Sequence, residues 1–134
     1  MENKGDIKMS VCLQFVRRQF LIDNNIKFGE ERYFEDNLCT VRTMIKAARA
    51  RCVRDNLYLR RVRGNSIMTG GKRKIRFESY LEVVRGLMQI LEDEKQNSAL
   101  QEAIYKRIRG TYINIFKDYL KVPESERDEL FGEK

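Results

Sequence analysis

The sequence predicts a mainly α protein with one small β-hairpin, an α+β arrangement that ends in two long helices. Three observations predict it. Apolar residues recur at three- and four-residue spacing over most of the chain, the period of a helix with one buried face. The stretch from Val53 to Val62 instead gathers valine, leucine and tyrosine around Asp55-Asn56, a turn signal between two short extended segments. Apolar residues make up 42% and charged ones 35%, the balance of a globular chain rather than a disordered one. At 134 residues there is enough chain for one domain with a modest core. Residues 1–10 read as a tail, 11–69 as a first segment, and 70–134 as a helical segment packing on it.

Cys12, Phe15, Val16, Phe20 and Leu21 set a first amphipathic helix over residues 10–23. Asn24-Asn25 and Gly29 break that pattern. A second helix is expected from Asn37 to about Ala50, burying Leu38, Val41, Ile45 and Ala48, with Asp36 at its N-cap. After the hairpin, Gly64-Asn65 and the basic SIMTGGKRK form a connection. One long helix is expected over residues 75–96, with Phe77, Leu81, Val84, Leu87, Met88 and Leu91 on one face. The next opens with Ser98 and Gln101 as a capping-box pair and buries Leu100, Ile104, Ile108, Ile115, Phe116 and Tyr119. Gly110 is expected to bend it, at about 1 kcal/mol relative to alanine. Pro123 ends the pattern and opens a last short helix.

Histidine is absent. That excludes Ser-His and Cys-His nucleophile pairs and imidazole metal sites, and leaves acid-base work to Asp, Glu, Lys or Tyr. Cys12, Cys39 and Cys52 contain no Cys-x-x-Cys pair, so they read as small buried apolar residues in a reducing cytoplasm. No apolar run approaches the roughly 20 residues of a membrane span, and MENKGDIKM lacks the apolar region of a signal peptide. A net charge of +7, from 27 basic and 20 acidic residues, favours polyanionic partners. KRKIR (72–76), RRVR (60–63) and YKRIR (105–109) would suit a nucleic-acid-binding module. They are scattered among acids and show no helix-turn-helix or aromatic stacking pattern, so nucleic acid is not the expected partner.

The informative stretch is RYFEDNLCTVRTMI, residues 32–45. Glu35-Asp36 stands where an acid can cap a helix, and also where amides and the helix dipole would hold a carboxylate ready for chemistry. Around it lie two further blocks. VCLQFVRRQFLIDNNIKF precedes it, with Arg18 to Leu21, Asn24-Asn25 and Phe28. LYLRRVRGNSIM follows, with Leu57-Tyr58, Arg61, Arg63, Ser66 and Ile67. In that order and spacing the three blocks resemble the C-terminal half of bacterial family 2 glycosyltransferases, the enzymes that build surface polysaccharides. The resemblance spans residues 11–68, a little under half of the chain.

The resemblance implies that the chain is the C-terminal, acceptor-side piece of a GT-A-type α/β fold. It implies Asp36 as general base of an inverting transfer, with Glu35 beside it. It also implies Arg61, Arg63 and Ser66 as contacts to a diphosphate or acceptor. Arg61 and Arg63 alternate with Val62, so on a strand they share a face suited to forked donation to phosphate; a solvated strand face would look the same. The complete enzyme would need Mg²⁺ or Mn²⁺ and a nucleotide-sugar, held by an Asp-x-Asp motif on an α/β half. This chain contains neither. The isolated chain is therefore expected to be inactive, with a donor-binding half as its partner, supplied by the same gene or a separate chain. Apolar faces left by the missing half would support a homodimer. Lys72, Arg73, Lys74 and Arg76 beside an amphipathic helix would support contact with the inner face of a membrane.

Overall fold

The computed structural model describes residues 9–30, 33–61 and 73–131. It is mainly helical. A 3₁₀ turn, Val11–Leu13, is followed by α1 (Arg18–Asp23), α2 (Glu35–Lys46), α3 (Arg73–Asp93), α4 (Ser98–Tyr119) and α5 (Glu124–Phe131). Two compact units divide the chain: residues 9–30 with 35–61, and residues 33–34 with 73–131.

In the first unit the expected single helix over residues 10–23 is two pieces. Gln14 and Arg17 are extended between the 3₁₀ turn and α1. The Gln14 amide donates to Thr40 Oγ1 at 2.8 Å and to the Ser10 carbonyl at 3.3 Å, which holds the chain out of helical geometry. Phe15 is left fully exposed. Asn24-Asn25 ends α1 as expected. The Asn24 side chain donates to the Phe20 carbonyl at 2.8 Å, and Asn25 takes a left-handed φ of 50°, which asparagine tolerates.

Helix α2 starts two residues before the expected position and stops at Lys46, so Ala48 lies outside it and is exposed. It buries Leu38, Cys39, Thr40, Val41 and Thr43. Residues 51–61 show no strand. Val53, Leu57, Tyr58 and Leu59 are all exposed, so no buried surface rewards a period-two alternation here. Val62 to Asn65, the far end of the expected hairpin, lie outside the described residues.

The second unit is a helical hairpin of α3 and α4, with α5 also against α3. Its core is Phe77, Tyr80, Val83, Val84, Leu87 and Ile90 from α3 with Ile104 and Ile108 from α4, and Val122 after it. Leu81 and Met88 fall just off the buried arc and are exposed, contrary to expectation. Asn97, not Ser98, caps α4, its side chain accepting from the Leu100 amide at 3.1 Å. The helix runs without interruption through Gly110, which sits in open space.

Of the three cysteines only Cys39 is buried; Cys12 and Cys52 are exposed. Neither the 3₁₀ turn nor the irregular segment around Cys52 has a buried face to offer them.

Candidate functional site

Glu35 and Asp36 both lie in the first turn of α2. Asp36 is therefore inside the helix and not its N-cap. The preceding residue is Phe34, whose side chain has no acceptor for the orphan amides of the first turn. Two carboxylates beside those amides are the favourable charge for the positive end of a helix dipole. Glu35 is exposed and Asp36 half-buried. The Asn37 side chain donates to Asp36 Oδ1 at 3.2 Å, and Asp36 makes no ion pair among the described residues. A carboxylate held by a neutral donor keeps lone pairs available for a hydroxyl proton.

The rest of the first unit supports this helix. The Gln14–Thr40 bond fixes α2 against the 3₁₀ turn at a fully buried threonine. Burial raises the Cys39 thiol pKa, an effect reinforced by the Asp36 carboxylate and opposed by its hydrogen bond to Thr43 and by Arg42. The Cys12 thiol nearby raises the Tyr58 phenol's pKa. Arg61 is exposed. Arg63 and Ser66 lie outside the described residues.

The second unit contains a cluster that the sequence reading missed. Phe34 stacks on Tyr80 with ring centroids 4.2 Å apart and 24° between planes. The Arg76 guanidinium lies 5.7 Å from the centre of the Phe34 ring. Arg76 Nη2 pairs with Asp118 Oδ2 at 3.0 Å, and the Tyr80 hydroxyl donates to the same oxygen at 3.3 Å. Lys121 closes the set on Asp118 Oδ1 at 3.1 Å. Burial raises the Tyr80 phenol pKa; the Arg76 guanidinium opposes this and the Asp118 carboxylate adds to it. Phe34 has a φ of 63°, a left-handed conformation that costs a bulky residue about 1–3 kcal/mol. Stacking contributes about 0.5–1.5 kcal/mol and the cation–π contact about 0.5–1 kcal/mol, together comparable with that strain. The available signal was the aromatic pair Tyr33-Phe34 directly before two acids; its partners are more than forty positions away.

Among the described residues no three Asp, Glu or Cys side chains gather where they could hold a metal ion. No described helix is long and apolar enough to cross a membrane. No family model matches the chain, and no curated protein or solved structure matches it significantly. The resemblance to family 2 enzymes rests on the residues of its three blocks.

Proposed function

We propose that this chain is the acceptor-side, C-terminal part of an inverting family 2 glycosyltransferase of surface-polysaccharide synthesis, with Asp36 as its general base. The observation that carries the reading is the placement of Glu35-Asp36 in the first turn of α2, between the two flanking sequence blocks. The Asp36 carboxylate takes the proton of an acceptor hydroxyl as that oxygen bonds to the anomeric carbon of the sugar. The bond from that carbon to the nucleoside diphosphate breaks, and the configuration inverts. Glu35 sits beside the acceptor, and Arg61, Arg63 and Ser66 receive phosphate oxygens. Mg²⁺ or Mn²⁺ and the nucleotide-sugar belong to a donor-binding half. The test is the coding sequence directly before Met1 and any partner chain that co-purifies. An Asp-x-Asp-bearing α/β segment from either source, with sugar transfer only when it is present, is the expected result. Absence of such a segment from both overturns the proposal.

The proposed location is cytoplasmic, at the inner face of the membrane. On α4, Tyr105, Tyr112, Ile113 and Phe116 are exposed, as is Leu120 just after it, and an apolar groove of ≈ 410 Å³ runs along Tyr112, Ile115, Phe116 and Tyr119. Arg109 and Lys117 on the same helix make no ion pair among the described residues. Aromatic side chains interleaved with free cations match an anionic lipid surface, and the net charge of +7 opposes covering the face with a second copy. Flotation with vesicles containing anionic lipid, but not with neutral vesicles, is expected. Concentration-dependent light scattering without flotation would assign the face to a homodimer.

A further inference from the structure

We propose that residues 51–61 are a docking segment that forms a β-strand against the acidic edge of a partner protein's sheet. This goes beyond the function assigned above, since the partner is defined by its chemistry and not by what it catalyses.

The segment has the side chains of a strand without a ladder to join. Val53, Leu57, Tyr58 and Leu59 are of the types that strands favour, yet residues 51–61 are neither helix nor strand and all of them are exposed. Among the described residues their backbone makes one backbone–backbone hydrogen bond, from the Leu57 amide to the Asp55 carbonyl at 3.0 Å. Most of the remaining amides and carbonyls are open to pairing, as at the edge of a sheet. Tyr58, near the Cys12 thiol, is 49% exposed, whereas its neighbours Leu57 and Leu59 are 71% and 94% exposed. That is the alternation of a strand with one face toward its own unit and the other outward.

Charge selects the occupant. Arg49, Arg51, Arg54, Arg60 and Arg61 make no ion pair among the described residues, and Asp55 is the one acid between them. Five arginines against one carboxylate repel a second copy of the same segment. They match Asp or Glu on a facing strand, because opposite charges directly across a ladder attract. A single-stranded nucleic acid would also satisfy the arginines, but it would leave Leu57 and Leu59 in water. Strand addition pairs the backbone and covers both leucines.

The experiment adds a synthetic peptide of alternating Glu and Val to the full chain. Amide exchange is followed by NMR at residues 57–61, with the Val41 amide of α2 as the control for folding. Exchange at every second amide is expected to slow about tenfold when the peptide stands at roughly ten times its Kd, with Val41 unchanged. The amides between stay fast, since only alternate residues of a strand pair with one antiparallel neighbour. A peptide of alternating Lys and Val gives no slowing. Leu59→Asp, at a side chain too exposed to matter for folding, abolishes the effect by setting a carboxylate against the acidic edge. Arg60→Glu combined with Arg61→Glu turns the preference toward the Lys and Val peptide. No alternate slowing with the Glu and Val peptide, or equal slowing by both peptides, overturns the proposal. So does slowing by poly(U) RNA that Leu59→Asp leaves intact. No sugar is transferred in this measurement, so its failure leaves the assignment of Asp36 standing, and the converse also holds.

Discussion

Arg76 and Asp118 meet at 3.0 Å, with side chains 29% and 16% exposed, and each sits at the wrong end of its own helix. Arg76 lies in the first turn of α3 beside Lys74, where a helix dipole favours acids. Asp118 lies in the last turn of α4, where the dipole favours cations. The two helices run antiparallel, so these ends are neighbours and each charge corrects the other. Asp118→Asn is expected to destabilise the protein by about 1–3 kcal/mol in urea unfolding, because the part-buried guanidinium loses its counter-ion. A change within a few tenths of a kcal/mol would mean that solvent already screens the pair.

Gly110 is in the middle of α4, and nothing lies within 4 Å of where a Cβ would be. Gly110→Ala is expected to raise stability by about 0.5–1 kcal/mol through a less flexible unfolded chain and better helix propensity. Thermal unfolding checks it, and a lowered midpoint would point to a bend that the helix needs.

Leu87 is fully buried at the centre of the α3–α4 core, whereas Phe15 is fully exposed. Leu87→Ala should cost about 2–5 kcal/mol, and Phe15→Ser less than about 0.5 kcal/mol, although phenylalanine is the larger side chain. Comparable losses in denaturant unfolding would show that Phe15 packs on something.

Iodoacetamide at neutral pH is expected to label Cys12 and Cys52 and to spare Cys39, the one buried thiol. Burial raises the Cys39 pKa and also that of the Tyr80 phenol. Their neutral forms therefore favour the folded state, a contribution fully present below the unfolded pKa values. It is lost as pH rises through the folded ones, beyond about 9 for the thiol and about 10 for the phenol. Unfolding followed from pH 7 upward should show stability falling on the alkaline side, and Cys39→Ala should remove the earlier part of the fall.

The long helices were legible because three- and four-residue spacing places Ile104 and Ile108 on one arc whatever packs there. Phe116 belongs to the same pattern but is exposed, because the width of the buried arc is set by the neighbouring helix and not by the pattern. The break in the first helix was not legible: it depends on Gln14 reaching Thr40, a contact between distant positions. Asn97 and Ser98 are both good caps, and local sequence does not choose between them. At the candidate site, two acids in a helix's first turn could be read to within two residues. The stack of Phe34 on Tyr80 could not, since the Tyr33-Phe34 pair marks one side of it and Tyr80 is more than forty positions away.

The proposed role of Asp36 is to remove the acceptor's proton. Its most direct measurement is sugar transfer by the complete enzyme, with its donor-binding half, carrying Asp36→Asn. Transfer is expected to fall by at least about 10²-fold while nucleotide-sugar binding stays as it was, since asparagine keeps the shape but cannot accept a proton. Turnover within about twofold of the unsubstituted enzyme would contradict it.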